Sequence, residues 1–411
     1  MNRRVVITGM GAVTSLGLGA EELWHSIKNG KSGISRVERI DVTDFPTQVA
    51  AEIKNFDPNQ FIEKKEAKRM DRFAQYAVAA TRMAFENSRI SDGTIDLQRT
   101  GIIIGSGIGG LETLENQHRV LLEKGADRVS PFMVPMMLPN MAAGMIAIKY
   151  GIKGFTECVV TACASSTNAV GDAYKIIQRN DADVMLAGGA EAPITRLALA
   201  GFCASKTMTT NLDADTACRP FDSKRDGFVM GEGAGVLVLE ELNHALNRGA
   251  DIVAEVVGYG CTNDAYHITA PSPGGEGAAQ CMKLALSDAN LNPTDIQYIN
   301  AHGTSTELND RTETAAIKSV FGEYAYQLAV SSSKSMTGHL LGAAGVVESI
   351  ITAYAIKEGF LPPTINYKNP DTECDLDYIP NYGKAKKITH ALSNSFGFGG
   401  HNATLILKAY C

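Results

Sequence analysis

Short apolar runs recur along the chain, and each gives way to glycine or other small residues and then to a stretch with helical spacing. The runs fall at residues 5–8, 101–105, 158–161, 184–187, 235–239, 252–257, 296–300, 328–331 and 404–407. Each is too short for a helix and nearly continuous in its hydrophobicity, the pattern of a strand buried on both faces. After the run at 158–161, Ala169, Val170, Ala173, Ile176 and Ile177 keep helical spacing. Strands alternating with helices predict an α/β protein with buried sheets. The pattern also echoes itself. Residues 159–177 read as strand, small-residue turn and Ala/Gly-rich helix, and residues 329–351 read the same way. The echo predicts two similar halves, residues 1–250 and 251–411, facing one cleft. Residues 209–225, rich in Asp, Thr and Asn, predict a long ordered loop, and residues 242–250 an exposed helix end.

Composition narrows the class. The chain has 411 residues, 45% hydrophobic and 20% charged, with 40 glycines, a balance that fits a soluble globular protein with many tight turns. That length exceeds what one small core holds. A net charge of −7 provides no global basic field for nucleic acid. None of the eight cysteines forms a CxxC pair, which fits a reducing cytoplasm. The N-terminal Met1-Asn2-Arg3-Arg4 precedes apolar residues as in a signal peptide, but Gly9 and Gly11 interrupt the run, and it reads as a first strand and glycine turn. The longest membrane-like stretch, 338–356, carries His339 and Glu348, which lipid disfavours.

The candidate chemistry sits at the ends of the apolar runs. In Val159-Val160-Thr161-Ala162-Cys163-Ala164 a thiol stands at a helix entrance, where orphan N–H groups favour negative charge. A thiolate there has a lowered pKa, although a buried structural cysteine would give the same pattern. His302 follows the run at 296–300, and Gly303, Thr304, Ser305 and Thr306 follow it. Those hydroxyls serve either a polar ligand or the cap of a helix starting near Glu307. Lys334-Ser335-Met336-Thr337-Gly338-His339 brings a second imidazole to a similar junction. Residues 394–402 form a glycine-dense turn whose N–H groups suit an oxyanion. Strand ends are where α/β proteins place their sites. No His, Cys or carboxylate residues have structural-zinc spacing. The glycines at 105–110 suggest a dinucleotide turn but do not follow the first strand.

These residues together resemble the β-ketoacyl-acyl carrier protein synthases, in their elongating synthase II branch. The matching motifs are Thr161-Ala162-Cys163, Arg219-Pro220-Phe221-Asp222 with Arg225-Asp226-Gly227-Phe228, Asp264-Ala265-Tyr266-His267, His302 to Thr306, Lys334 to His339 and Asn394 to Gly400. The resemblance runs from Arg4 to Leu407. It implies a thiolase-like fold of two βαβαβαββ halves in five αβαβα layers, normally a homodimer. It implies that Cys163 is acylated by an acyl carrier protein thioester, that the N–H groups of Cys163 and Phe398 form an oxyanion hole, and that His302 and His339 stabilise the enolate of a decarboxylating malonyl thioester. Glu307 and His401 depart from the family pattern, in which Pro or a small residue and Thr are common at these places.

Further roles follow from the same resemblance. Lys334 and Glu348 support the site as a charged pair. Thr304 and Thr306 contact the phosphopantetheine arm. Ile108, Phe202 and Phe398 line or gate the acyl pocket, though plain core packing is an equal reading of each. Asn300, Glu348, Ser393 and Asn394 match positions that hold a structural Na+ or K+ in some members, and no other cofactor is implied. Lys64, Lys65, Lys68 and Arg69, with Lys206, form a basic run in an acidic chain. It is either a solvated helix face or the dock for an acidic carrier protein. Two rivals stand beside fatty acid elongation: a polyketide or secondary-metabolite ketosynthase, and a non-catalytic chain-length subunit. Such subunits lack the nucleophile, which this chain retains.

Overall fold

The computed structural model describes residues 3–90 and 93–410. Met1, Asn2 and Cys411, which entered the N-terminal and cysteine readings, lie outside these. Among the described residues, ten strands and a two-residue strand at Gly17–Leu18, which pairs with the end of the first, make one continuous sheet. The first five are β1 (Val5–Thr14), β2 (Thr100–Gly105), β3 (Thr156–Val159), β4 (Val184–Glu191) and β5 (Gly233–Glu241). The second five are β6 (Ala254–Asn263), β7 (Tyr298–Asn300), β8 (Ala329–Ser331), β9 (His390–Gly397) and β10 (His401–Lys408).

The spatial order is β8-β7-β9-β10-β6-β1-β5-β4-β2-β3. Read outward from the centre, each set runs first strand, last strand, fourth, second, third. The pairing sense repeats as well: β1–β5 and β4–β5 are antiparallel and β2–β4 and β2–β3 parallel, as are β6–β10, β9–β10, β7–β9 and β7–β8 in turn. The sets join where residues 5–7 of β1 pair antiparallel with residues 254–256 of β6.

Helices fill the layers around this sheet. α1 (Arg72–Ser88) covers β1 and β5 from outside, and α3 (Glu276–Ala289) and α4 (Glu307–Phe321) cover the second set. Between the sets lie α2 (Ser165–Gln178) and α5 (Ala344–Glu358), packed on each other and each touching strands of both sets. Every residue of α5 from Ala344 to Ile356 is buried, so most of the stretch that resembled a membrane span is a central helix of the packed core. Among the described residues no helix is long and apolar enough to cross a membrane.

Two readings are corrected. Gly9 and Gly11 do not turn the chain: they lie inside β1, because α1 packs so closely that a Cβ would come within 2.4 Å of Ala84 O and 2.0 Å of Ala80 O. Residues 394–397 are not part of a turn but the end of β9, and only Phe398–Gly400 turns the chain into β10. β9 is hidden in sequence because its buried Ser393, Asn394 and Ser395 break the apolar run. Their burial is tolerable where partners exist, as for Asn394, whose Oδ1 accepts from Thr404 at 2.8 Å.

Candidate active site

The chain leaves β3, makes a single 3-10 turn over Ala162–Ala164 and enters α2. Ala162 holds φ 50°, a left-handed conformation that costs an alanine on the order of 1 kcal/mol. The second half repeats this device: Leu341–Ala343 turns into α5, with Leu341 at φ 49° and Gly342 in the place that Cys163 has in the first half. The tight turn buries Cys163 at the head of α2.

Two imidazoles meet the thiol from the second half. His339, just before the Leu341 turn, puts Nε2 3.1 Å from Cys163 Sγ, and its Nδ1 accepts the backbone N–H of Leu341 at 3.3 Å. A ring that accepts at Nδ1 carries its neutral-state proton on Nε2, so an N–H donor faces the sulfur. His302, beyond β7, stands edge-on to His339 with ring centroids 5.3 Å apart. Burial holds both rings well below the usual histidine range, the Lys334 charge adds to this, and for His302 so does His339. Both are neutral near pH 7.

The thiol departs from the expected behaviour. Burial pushes Cys163 up to about 12; Lys334 opposes this, Glu191 adds to it, and the N–H groups of Phe398 and Cys163 itself oppose it. Desolvation thus outweighs the helix start, and the resting group is a thiol rather than the thiolate expected from sequence. The two opposing N–H groups are the pair named as an oxyanion hole.

A cavity of about 600 Å³ opens onto these three side chains. Ile108, Phe202, Phe398, Thr304, Thr306 and Lys206 line it, so the pocket and pantetheine candidates are brought together with the triad. The Thr304 and Thr306 hydroxyls bond each other at 2.9 Å, and Thr306 does not cap α4 with its side chain. Phe202 packs against Phe228 and Phe398, and Phe228 against the His339 ring. Glu307 also lines the cavity.

Lys334 and Glu348 form an ion pair that is almost fully buried. Burial raises the Glu348 carboxyl to about 7 against the pull of Lys334. Asn300 and Ser393 are register partners on β7 and β9. Both amide atoms of Asn300, Ser393 Oγ and Glu348 Oε2 are buried without a hydrogen-bond partner. Asn394 differs, since its Oδ1 accepts from Thr404 and its Nδ2 donates to Glu313. Lys64, Lys65, Lys68 and Arg69 are exposed on and after the short helix Lys64–Ala67 and do not line the cavity. The Arg69 guanidinium sits 4.7 Å over the Phe132 ring.

Two buried acids were not singled out in the sequence. Glu313 accepts the backbone N–H groups of His302 and Gly303, each at 2.8 Å, and so fixes the backbone that carries the imidazole. With Asp310, Thr314, Ile317 and Phe321 it lies on the buried stripe of α4, a spacing that by itself does not separate a buried acid from a solvated one. Glu191 ends a strand otherwise made of apolar and small residues and is fully buried. It accepts from Gly107 N and Ile108 N, at 2.7 and 3.1 Å, so those amides are not offered to a nucleotide phosphate.

The chain is similar to known proteins over its full length. The β-ketoacyl synthase N-terminal domain family matches residues 2–245, and its C-terminal domain family matches residues 253–368. A 3-oxoacyl-[acyl-carrier-protein] synthase 2 of Staphylococcus aureus is 54% identical over 100% of this chain and 99% of its own length. The protein of that name from Synechocystis is 52% identical over 99% of this chain and 98% of its own. The ketosynthase of a type II polyketide synthase, solved in complex with its acyl carrier protein, superposes with a TM-score of 0.93 at 36% identity, covering 100% of both chains. Family matches over both halves, joined by a full-length likeness above half identity, place this chain in the β-ketoacyl synthase family.

Proposed function

We propose that this protein elongates fatty acyl chains by condensing an acyl group held on Cys163 with malonyl-acyl carrier protein. The observation that carries the reading is the buried Cys163 sulfur 3.1 Å from a neutral His339 Nε2, with His302 beside it at one cavity. The Cys163 sulfur attacks the acyl thioester carbonyl, the bond to the pantetheine sulfur breaks, and the thiol proton leaves with the pantetheine thiol. The N–H groups of Cys163 and Phe398 stabilise the tetrahedral oxyanion. The malonyl thioester then loses CO2, and the electron pair of the broken C–C bond moves onto its carbonyl oxygen, held by N–H donors from His302 and His339. The enolate carbon attacks the acyl-Cys163 carbonyl, the C–S bond breaks, and the thiolate takes up a proton.

Thr304 and Thr306 face the cavity as hydroxyl partners for the pantetheine amides, and Ile108, Phe202 and Phe398 shape the acyl end. The exposed basic run Lys64, Lys65, Lys68 and Arg69, with Lys206 at the cavity, suits an acidic carrier protein. Oxygen donors of Asn300, Ser393 and Glu348 fit a monovalent cation, which would supply positive charge beside the buried carboxylate. The exposed edge of β3, flanked by Ile148, Phe155 and Val160 at 75%, 44% and 54% exposure, suits a second copy of the chain, and a cytoplasmic homodimer is the form proposed. Incubating the purified protein with acyl- and malonyl-carrier thioesters tests the reading: a 3-oxoacyl product and a Cys163-bound acyl group support it, and absence of both overturns it.

A further inference from the structure

Glu191 makes contacts that the condensation steps do not require. It closes β4, is fully buried, and receives four donors: the backbone N–H of Gly107 at 2.7 Å, of Ile108 at 3.1 Å and of Gly342 at 3.0 Å, and the Ser106 hydroxyl at 3.0 Å. The first two amides and the hydroxyl belong to the loop after β2. The third belongs to the turn of the second half that mirrors the nucleophile turn. One carboxylate thus ties together two chain segments from different halves.

The neighbouring residues show what the tie holds. Ile108 and Leu341, each adjoining or bearing a bonded amide, both line the cavity and pack in one apolar cluster with Cys163. Leu341 is held at φ 49°, so its place depends on the contacts that over-determine the turn. The approach is close enough to demand glycine at the partners. A Cβ on Gly342 would lie 2.6 Å from Glu191 Oε2 and 2.5 Å from Gly107 N, and one on Gly107 would lie 3.0 Å from the same carboxylate oxygen. All four neighbours donate, so the oxygens must accept, and a glutamine amide would turn an N–H2 against N–H groups.

We propose that Glu191 is a positioning residue that clamps the Ile108 loop to the Leu341 turn and so sets the width of the acyl channel beside Cys163, and with it the enzyme's preference for acyl length. This rests on the elongating-synthase reading, but the clamp itself can be tested without that chemistry. Cys163 is alkylated with iodoacetamide and with N-alkyl iodoacetamides bearing tails of increasing length, in the parent and in Glu191→Gln, with adducts located by mass spectrometry. The carboxylate opposes the thiolate, while Lys334 favours it and His339 and His302 stand neutral around it. Its removal therefore leaves tail-less alkylation as fast as in the parent or faster.

Long-tailed reagents are expected to saturate at about tenfold higher concentration in the variant, a change of ~1.4 kcal/mol. Weaker saturation by long reagents, with tail-less alkylation unchanged or faster, supports the clamp. Equal change at every tail length, or none, overturns it. Ser106→Ala removes one donor only, and an intermediate shift in the same direction is expected; an unchanged length profile in a folded Ser106→Ala protein counts against the clamp should Glu191→Gln fail to fold. Failure of the synthase reading shows separately, as a parent that alkylates at Cys163 yet forms no acyl-enzyme from carrier thioesters.

Discussion

On the proposed function the chemistry is divided among Cys163, His302 and His339, whose protonation states are set by burial. Cys163→Ala removes the sulfur and little volume, so the fold should persist while acyl-enzyme disappears from intact-mass spectra; acyl transfer by that variant would refute the nucleophile. His302→Ala or His339→Ala removes one N–H donor to the enolate oxygen and should slow malonyl decarboxylation by about 10²–10³, the usual loss for such a donor. Acylation of Cys163 should suffer less, and the reverse order would exclude the role. The pH profile follows from the same geometry. A histidine whose folded pKa lies well below 6.5 stays a neutral N–H donor as pH falls through 6.5, so decarboxylation should keep its rate there and fail only further into acid. An acid limb near 6.5 in the parent would contradict buried neutral rings. That Cys163, His302 and His339 would meet was legible because each follows an apolar run that gives way to small residues. The thiol's protonation was not, since a helix start is visible in sequence and the desolvation opposing it comes from distant segments. Glu191 and Glu313 escaped for a related reason: an acid is notable only once its burial is known.

At the scale of elements, the two central helices decide the architecture. α5 is buried all round from Ala344 to Ile356, so Glu348, the one acid in that stretch, has to be matched from elsewhere, and Lys334 matches it. Lys334→Met leaves that carboxylate unpaired and should lower stability by about 3–5 kcal/mol in urea unfolding, while Lys334→Met with Glu348→Gln recovers most of the loss. The folded Glu348 pKa lies raised at about 7 against 4.5, so the folded state favours its protonated form, and stability from this group is greatest in acid and declines as pH rises from 4.5 toward 7. Losing Lys334 raises the folded value further, so the single variant's deficit should be largest above neutrality and shrink in acid. A deficit independent of pH would mean that packing, rather than the stranded carboxylate, is responsible. The strand-turn-helix echo behind this arrangement was readable at residues 159–177 and 329–351, because both copies must bury the same helix face. β9 was not, because a strand inside a polar hydrogen-bond network does not need an apolar run.

At the scale of the whole molecule, an acidic protein with net charge −7 carries a compact basic patch at Lys64, Lys65, Lys68 and Arg69. If the patch receives the carrier protein, charge reversal at Lys65 and Arg69 should raise the KM for carrier-bound substrate and flatten its salt dependence, with pantetheine thioesters turned over as before. Equal loss on both substrate types would point to a folding defect. The opposite end of the first strand set poses a second question. Among the described residues β3 pairs only with β2, and the large apolar side chains Ile148, Phe155 and Val160 stand exposed around it. A strand edge in that condition invites pairing with another copy across a twofold axis. Val160 lies on this surface three positions before Cys163, so assembly and catalysis would share one segment. Val160→Lys places a charge on the apolar surface that pairing would desolvate. Light scattering should then give about half the parent mass, and acyl-enzyme formation should fall with it. A variant that becomes monomeric yet acylates at the parent rate would separate assembly from catalysis, and a parent already monomeric would remove the β3 edge as an interface.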